Sequence, residues 1–388
     1  MSKTVHLFMF IDALGWEILQ QHRFLETELP YRYPVKMQFG YSSTAIPTIL
    51  SGQPPRIHRH LSFYYFAPDK SPFKLLKYMG LQYLPSRIVD RWRVRHLLSK
   101  IIARLYGFTG YFEMYSMPYD RLPWFDYIER KDIFVADGLA PVRNLADELQ
   151  SSNIPSHISN WRLSESNNIA ALARELESGV IRFAFLYTAE LDGLLHQHVN
   201  EPERIKAKLD YYAERIKALM ELARKHYDDF SFTILSDHGM TPLSGTVDVK
   251  SKIEAAGLRF GTDYAAVYDS TMARFWLFTA AARECLLPLL DAIPEARRLT
   301  PEDKHRYGID FTDNMYGEEI LLMSPGVQIV PSDMGHHALP GMHGFAPEDK
   351  DSFASYLSTA PVSTPPQWVG DNFRIMKEKI SEVSRETP

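Results

Sequence analysis

Three apolar runs of strand length limit the folds that this 388-residue chain can adopt. They span residues 5–11, 181–187 and 230–235, and apolar residues dominate each of them. Runs of this kind are typical of strands that are covered on both faces, as in a parallel sheet. We therefore expect a parallel sheet whose two faces are both buried.

Helical patterns occupy the segments between these strands. The clearest span residues 166–176 and 203–227, and a last helix is expected at 371–383. Strands that alternate with crossover helices are typical of the α/β class. We predict a single α/β domain over residues 1–388, with a mostly parallel central sheet, helices on both faces and inserted cap segments.

Each of the three predicted strands leads into an acidic residue. Asp12 directly follows the first run, Asp192 lies shortly after the second, and Asp237 lies shortly after the third. Ligands of parallel sheets bind beyond the carboxyl ends of the strands. We therefore expect the three carboxylates to lie at one edge of the sheet.

Histidines accompany these acids at spacings that suit metal binding. His196 lies four residues after Asp192, so both side chains share one helix face, and His238 directly follows Asp237. His343 stands in a Gly-Met-His-Gly run that permits close backbone approach. Since the chain has a single cysteine, a thiolate metal cluster is excluded and any metal must use His and Asp.

A hydroxyl-rich segment lies between the first two acids. Residues 40–52 read GYSSTAIPTILSG, so Ser42, Ser43 and Thr44 precede a short apolar helix that ends at Gly52. The amides and dipole of a helix N-terminus favour an anion, and a nearby divalent cation would lower the pKa of a hydroxyl enough for nucleophilic attack. An N-capping serine cluster is the alternative interpretation.

Together these motifs resemble the alkaline phosphatase superfamily, and most closely the type I phosphodiesterase/nucleotide pyrophosphatase family. The resemblance covers nearly the whole chain. It rests on Asp12, the Ser42 region, DGLLH at 192–196, SDHGM at 236–240 and GMHG at 341–344. It implies an alkaline-phosphatase-like fold.

The resemblance also implies two divalent metal ions, with zinc favoured by the histidine content and manganese as the alternative. One ion would be bound by Asp192, His196 and His343, and the other by Asp12, Asp237, His238 and the nucleophile. Ser42 is the expected nucleophile, because it stands ten residues before Gly52, as in this superfamily. Ser43 and Thr44 remain alternatives, because the Thr-x-Pro of the diesterases is absent.

The family implies a hydrolase that cleaves a phosphodiester or pyrophosphate of a small molecule or nucleotide through a phosphoenzyme. One alternative is a phosphomonoesterase or phosphotransferase that acts on a lipid-linked or glycan intermediate; another is a non-catalytic binding protein of the same fold. A monoesterase normally needs an extra arginine on the third phosphate oxygen. Arg274 and Arg162 are candidates for this contact, and a salt-bridged or surface arginine is the alternative interpretation of each.

Residues 58–131 differ from the rest of the chain and are predicted to form a basic, aromatic cap insertion. They hold 13 Lys and Arg against 6 Asp and Glu, and 17 aromatic residues, although the whole chain has a net charge of −5. Specific nucleic-acid binding is not expected, because the whole chain is acidic and no recognition motif accompanies the basic segment. A second, smaller insertion is expected at 245–331.

An amphipathic helix is predicted within the first insertion. Apolar residues between 94 and 105 recur at helical spacing, and the basic residues between 91 and 104 lie largely elsewhere on the helix. In one interpretation the apolar face packs on the core and the arginines lie in solvent. In the other, this surface meets an anionic membrane or a lipid-linked or phosphorylated substrate.

The sequence favours a cytoplasmic location, with peripheral attachment to a membrane as a variant. The N-terminal segment has the pattern of a strand rather than of a signal peptide. No apolar stretch reaches the roughly 18 residues of a membrane span. The single cysteine, Cys285, is typical of a protein from a reducing compartment.

Overall fold

A computed structural model describes residues 3–386 as a mixed α/β structure. The strands are β1 (Thr4–Ile11), β2 (Tyr31–Val35), β3 (Tyr64–Phe66), β4 (Phe125–Tyr127), β5 (Ser156–Ile158), β6 (Phe183–Thr188), β7 (Asp229–Leu235), β8 (Thr241–Pro242), β9 (Gly245–Val247), β10 (Tyr264–Tyr268), β11 (Met272–Leu277), β12 (Ala296–Arg298), β13 (Glu319–Met323), β14 (Val327–Ile329), β15 (Gly341–Met342) and β16 (Ala354–Ser358).

The α-helices are α1 (Trp16–Gln21), α2 (Ser42–Ser51), α3 (Pro55–His58), α4 (Ser86–Val89), α5 (Trp92–Tyr106), α6 (Leu145–Ser151), α7 (Glu165–Ser178), α8 (Glu190–His198), α9 (Pro202–His226), α10 (Val249–Glu254), α11 (Ala280–Asp291), α12 (Pro301–Arg306) and α13 (Asp371–Glu386). Among the helices of residues 3–386, none combines the length and the apolar character that crossing a bilayer requires.

A six-stranded sheet forms the centre of the structure, with the strand order β2-β16-β7-β1-β6-β5. Strands β7, β1, β6 and β5 run parallel to one another, whereas β16 is antiparallel to both of its neighbours. Strands β1, β6 and β7 coincide with the three apolar runs of the sequence. The predicted α/β class with a mostly parallel central sheet is confirmed.

Both faces of this sheet are buried, which explains why β1 is mainly apolar. Val5, Leu7 and Met9 pack with residues of α1, α7 and α9. Phe8 and Phe10 point the other way and pack with residues of α2, α6 and α13. Because successive strand residues alternate between two covered faces, both sets are mainly apolar, and the buried His6 is paired with Ser231 Oγ at 2.7 Å.

The two predicted insertions pack against each other. Residues 245–331 contain an antiparallel sheet with the order β10-β11-β13-β12, and residues 58–131 contain the antiparallel pair β3 and β4. Tyr64 and Tyr127 of the first segment share a buried cluster with Val267 and Trp276 of the second. The division of the chain into one domain with two insertions stays a prediction.

Helix α5 buries only part of its apolar face. Its buried residues are Arg95, Ser99 and Ile102, whereas Leu97, Ile101 and Leu105 are exposed. The Arg95 guanidinium pairs with Asp90 at 2.6 Å and donates a hydrogen bond to the carbonyl oxygen of Met117 at 2.8 Å. Because these partners compensate the buried charge, the arginine can lie on the inner side. The interpretation that places the apolar face on the core is confirmed only for Ile102 and Leu98, which pack in a buried cluster. Arginines such as Arg93 and Arg104 lie in solvent as that interpretation expects, whereas Arg95 does not.

Candidate active site

The carboxyl ends of β1, β6 and β7 meet at one edge of the central sheet. Asp12 directly follows β1, Asp192 lies in α8 just after β6, and Asp237 and His238 follow β7. His343 reaches the same place from the loop after β15, and its imidazole stacks on that of His238. The structure thus brings together side chains from four distant parts of the sequence.

Asp12, Asp237 and His238 form a first, fully buried cluster. The Nε2 of His238 lies 3.6 Å from Oδ1 of Asp12 and 3.2 Å from Oδ2 of Asp237. The Nδ1 of the same ring is 2.9 Å from the carbonyl oxygen of Gly239, which can only accept a hydrogen bond. The ring proton therefore belongs on Nδ1, and the lone pair of Nε2 points at the carboxylates.

Asp192, His196 and His343 form a second cluster beside the first. The Nε2 atoms of His196 and His343 lie 3.4 and 3.6 Å from the carboxylate oxygens of Asp192. The Nδ1 of His196 is 2.9 Å from the carbonyl oxygen of Gly341, so this imidazole is also oriented by a backbone acceptor. In each cluster the candidate ligand atoms lie within 4.8 Å of one another.

Several polar atoms of the two clusters are buried without a hydrogen-bond partner among the described residues. They include Oδ1 of Asp12, Oδ1 of Asp192, Oδ2 of Asp237 and Nδ1 of His343. Buried polar atoms are normally paired, and an unpaired one costs about 1–3 kcal/mol. Carboxylate and imidazole donors suit divalent metal ions. Both clusters therefore fit a bound cation.

The pKa values of the carboxylates in the two clusters also favour bound cations. Burial, followed by the charges of Asp237 and Asp192, raises the pKa of Asp12 well above its usual range. Burial also raises the pKa of Asp237. Burial opposes ionisation of Asp192, but the hydrogen bond from His196 and the nearby His343 lower its pKa overall. Divalent cations would relieve this repulsion between buried carboxylates.

Of the three hydroxyl residues singled out in the sequence, Ser42 is the one that contacts a cluster. It is the first residue of α2, it is half-buried, and its Oγ lies 3.0 Å from Nε2 of His238. The hydroxyl of Thr44 is fully buried and donates a hydrogen bond to the carbonyl oxygen of Leu61. Ser43 is buried, and its Oγ has no partner among the described residues.

The sequence model of the family "Type I phosphodiesterase / nucleotide pyrophosphatase" matches residues 7–346. The chain belongs to this family. It is therefore a phosphoester hydrolase of a metal-dependent family, and the resemblance found in the sequence is confirmed. No curated protein sequence matches the chain significantly.

Solved structures of two mammalian ectonucleotide pyrophosphatases/phosphodiesterases 5 share the fold of this family member. The murine protein in an inactive form with AMP is 13% identical, has a TM-score of 0.67, and covers 97% of this chain and 95% of its own. A second murine structure has the same identity and coverage and a TM-score of 0.68. The human protein is 14% identical, with a TM-score of 0.67 over 97% and 94%. The alkaline-phosphatase-like fold is confirmed.

A cavity of about 270 Å³ opens beside the two clusters of this phosphodiesterase-family chain. Its lining includes Asp12, Ser42 and Asp192 of the candidate site, together with the charged residues Glu129 and Lys131. The aromatic lining residues are Phe63, Tyr111, Tyr115, Phe134, Trp161 and Tyr187. A larger groove of about 700 Å³, between the end of α2 and α13, contains none of the cluster residues.

Arg274 does not lie in this cavity, and its expected role as a substrate contact is corrected. The side chain has no exposed surface. Its guanidinium pairs with Asp269 at 2.7 Å, and donates hydrogen bonds to the Tyr64 carbonyl oxygen at 2.7 Å and to Ser62 Oγ at 3.0 Å. Every donor group is therefore directed at the protein itself. Arg162 pairs with Asp132, which lines the cavity, at 2.9 Å.

Tyr41 and Thr271 support the site, although nothing in the sequence singled them out. The hydroxyl of Tyr41 accepts a hydrogen bond from the Thr271 amide at 3.0 Å and lies 2.9 Å from Oγ1 of Thr271. That Oγ1 donates in turn to the carbonyl oxygen of Gly344 at 2.9 Å. Because Tyr41 directly precedes α2 and Gly344 follows His343, these bonds tie the start of the Ser42 helix to the His343 loop.

Glycines beside the histidines are explained by close packing. A Cβ at Gly344, where φ is +89°, would lie 2.6 Å from the ring of Tyr41, and one at Gly341 would lie 2.7 Å from the carbonyl oxygen of Leu195. Close approach at both positions is confirmed. Gly239 is also required by packing, since a Cβ there would lie 2.2 Å from the carbonyl oxygen of Asp351.

Proposed function

We propose that this phosphodiesterase-family chain hydrolyses a phosphodiester or pyrophosphate bond of a small molecule, such as a nucleotide derivative, with Ser42 as the nucleophile. The observation that carries the proposal is the 3.0 Å separation between Ser42 Oγ and His238 Nε2 at the N-terminus of α2. The half-buried position of Ser42 beside the cavity supports it further, because a substrate can reach this hydroxyl. Ser43 and Thr44 remain the alternatives that mutagenesis must exclude.

Two divalent metal ions are part of the proposal, with zinc favoured and manganese as the alternative. Asp12, Asp237, His238 and Ser42 would hold one ion, and Asp192, His196 and His343 the other. When bound, such ions stabilise negative charge on the attacking and leaving oxygens of an in-line displacement.

The residues of the chain then act in two displacements at phosphorus. Ser42 Oγ releases its proton to solvent and forms a bond to phosphorus as the bond from phosphorus to the leaving oxygen breaks, and the leaving oxygen takes a proton from solvent. Backbone amides at the start of α2 stabilise the phosphoryl oxygens of the resulting phosphoserine. A water molecule then loses a proton to solvent as its oxygen adds to phosphorus, Ser42 Oγ leaves and takes up a proton, and the phosphorylated product is released.

The walls of the cavity suggest what the phosphoryl group is attached to. Aromatic side chains such as Tyr111 and Trp161 offer surface for a planar or apolar group. Lys131 is an exposed cation that can pair with a further phosphate group. The burial of Arg274 removes one of the two arginines on which the monoesterase alternative depends. AMP in the murine structure makes nucleotide derivatives the first compounds to test.

The test compares hydrolysis of bis-p-nitrophenyl phosphate, p-nitrophenyl phosphate and the p-nitrophenyl ester of thymidine 5′-monophosphate by the metal-loaded chain. We expect faster hydrolysis of the two diesters and about two metal ions per chain, measured on the same sample. Faster hydrolysis of the monoester would overturn the diesterase proposal in favour of a phosphatase. The cytoplasmic location stays a prediction from the sequence.

A further inference from the structure

Exposed apolar side chains are concentrated in one part of the structure. Of the 18 large apolar or aromatic residues that are exposed within residues 3–386, 11 lie between residues 75 and 106. This segment includes α4 and α5 and belongs to the basic, aromatic segment 58–131. Single exposed apolar residues are ordinary, but a concentration of this kind marks a surface that binds something.

The outer face of α5 is the most regular part of this surface. Leu97, Ile101 and Leu105 follow one another at intervals of four residues, and they are 58%, 47% and 68% exposed. Residues at this spacing form a continuous ridge along a helix. Trp92, at the start of the helix, is 70% exposed.

A row of cations runs beside this ridge. Arg93, Lys100 and Arg104 are exposed on α5 and lie next to the apolar ridge around the helix. Between residues 70 and 112 the sequence has nine Lys and Arg but one acidic residue, Asp90, and that residue pairs with the buried Arg95. The outer face of α5, defined by Leu97, Ile101, Leu105, Arg93, Lys100 and Arg104, is therefore both apolar and strongly positive.

We propose that the outer face of α5 docks on the surface of an anionic lipid bilayer. Apolar side chains that enter the boundary of the acyl chains, with lysines and arginines at the level of the head groups, are the binding mode of interfacial helices.

A second copy of the chain is less suited than an anionic bilayer to bind the outer face of α5. A symmetric dimer contact brings the same patch of both subunits together. The cations Arg93, Lys100 and Arg104 of both subunits would then be gathered in one contact, and the face has no acidic residue to pair with them. Phospholipid head groups supply the opposite charge instead.

The docked face is connected to the active-site cavity by a short segment. Helix α5 ends at Gly107, and the amides of Thr109 and Gly110 donate hydrogen bonds to the carbonyl oxygen of Arg130. The next residue, Tyr111, lines the cavity together with Gly110. The cavity wall therefore begins within a few residues of the bilayer contact. Docking itself does not depend on the proposed reaction.

The experiment measures co-sedimentation of the full, metal-loaded chain with vesicles of phosphatidylcholine, with and without phosphatidylglycerol. We expect binding to the anionic vesicles that weakens as salt is added, and little binding to the neutral ones. Combining Leu97→Ser, Ile101→Ser and Leu105→Ser should weaken binding at least about tenfold, since these side chains no longer enter the bilayer. Combining Arg93→Glu, Lys100→Glu and Arg104→Glu should weaken it about 100-fold or more, at roughly fivefold for each cation lost.

Val180→Ser is the matched control, because Val180 is exposed and lies outside the segment. It should bind vesicles as the unchanged chain does. Circular dichroism and hydrolysis of the soluble diester verify that each variant is folded.

Three results would overturn the proposal. One is that the unchanged chain does not bind anionic vesicles, and another is equal binding to neutral vesicles. The third is a dimer in sedimentation equilibrium that the serine variant of the ridge dissociates, because the face would then be a contact between copies. None of these results depends on the identity of the substrate, so failure of docking and failure of the proposed reaction are distinguished.

Discussion

The imidazole rings of His238 and His343 are stacked, with ring centroids 3.8 Å apart and planes inclined by 13°. This contact joins the two acid and histidine clusters, since His238 belongs to one and His343 to the other. Two uncharged imidazoles can stack in this way, whereas two imidazolium ions would repel each other. Burial, and then the nearby His238, lowers the pKa of His343 well below its usual range, which keeps the ring available as a metal ligand.

Replacing His343 tests the second cluster. His343→Ala should lower the affinity for one metal ion by at least about 100-fold, because a ligand is lost rather than an outer partner. Metal content after dialysis against a weak chelator measures this. The control is His337→Ala, which alters an exposed histidine of a nearby loop and should leave the metal content unchanged. Equal metal content in both variants would remove His343 from the ligand set.

Alanine substitutions at two neighbouring serines test which of them is the nucleophile. Ser42→Ala should lower kcat/KM for the diester by at least about 1,000-fold, because the group that attacks phosphorus is lost. Most of the bound metal should remain, since the acids and histidines are unchanged. Ser43→Ala is the matched control and should keep activity within a few fold. If Ser43→Ala is the inactive variant, the assignment of Ser42 is wrong.

A substitution of Thr44 tests whether its hydroxyl has a structural or a catalytic role. Its Oγ1 donates a hydrogen bond to the Leu61 carbonyl oxygen and accepts one from the Tyr41 amide. Thr44→Val should therefore lower the free energy of unfolding by about 1–3 kcal/mol, because buried partners lose their hydrogen bonds. Urea unfolding measures the stability, and active-site titration gives the activity of the folded fraction. Activity of that fraction should be retained; its loss, with metal content unchanged, would assign the attack to Thr44.

Much of the candidate site could be predicted because its residues follow strands or glycine-flanked turns. Asp12, Asp192 and Asp237 could be expected to converge, since the carboxyl ends of neighbouring parallel strands lie together. Tyr41 and Thr271 could not be predicted, because they are 230 residues apart and their hydrogen bond depends on how the chain folds. The sequence around a hydroxyl residue does not indicate which distant residue will share a hydrogen bond with it.

The orientation of α5 could not be predicted from its sequence. Periodicity shows that a helix has an apolar side and a basic side, but not which of them faces the protein. Arg95 lies inside because Asp90 pairs with it and the ring of Tyr119 lies 4.4 Å from its guanidinium carbon. These contacts come from loops on either side of the helix. The same lack of a local signal led to the wrong role for Arg274, whose partner Asp269 lies in the turn between two strands.

Arg274 is expected to stabilise the fold rather than to bind substrate. Arg274→Ala leaves Asp269 buried without its partner, so the free energy of unfolding should fall by about 3–5 kcal/mol. Calorimetry or urea unfolding measures this loss. Arg283→Ala removes a partly exposed ion pair with Glu318 and should cost less than about 1 kcal/mol. If Arg274→Ala raises KM without destabilising the protein, the structural role is wrong.

Glu129 gives the cavity a predictable pH dependence. Burial raises the pKa of its carboxyl group from 4.5 to about 8. The groups whose charges interact with it are Tyr111, Tyr115, Tyr127 and Tyr187, and their pKa values are raised as well, chiefly by burial. The tyrosines therefore stay neutral below pH 10. Lys131, which also lines the cavity, is exposed.

The effect of Glu129 on stability has a definite sign. Between pH 4.5 and about 8 the folded chain keeps the proton of Glu129, while the unfolded chain has released it. Stability therefore falls as pH rises through this window, because the folded state binds more protons. Glu129→Gln removes this contribution. The melting temperature of Glu129→Gln minus that of the unchanged chain should therefore increase from pH 5 to pH 8. A constant difference across these values would contradict the raised pKa.

The same ionisation should alter substrate binding. Above about pH 8, Glu129 places a negative charge in the cavity beside Asp12 and Asp192. KM for an anionic diester should rise there more steeply than in Glu129→Gln, because the charge repels the substrate only when the carboxylate is present. Initial rates at pH 7 and 9 measure this, with metal content verified at both values. Glu203→Gln, an exposed change in α9 distant from the cavity, should retain the KM profile of the unchanged chain. Identical profiles for Glu129→Gln and the unchanged chain would show that the Glu129 carboxylate does not face the substrate.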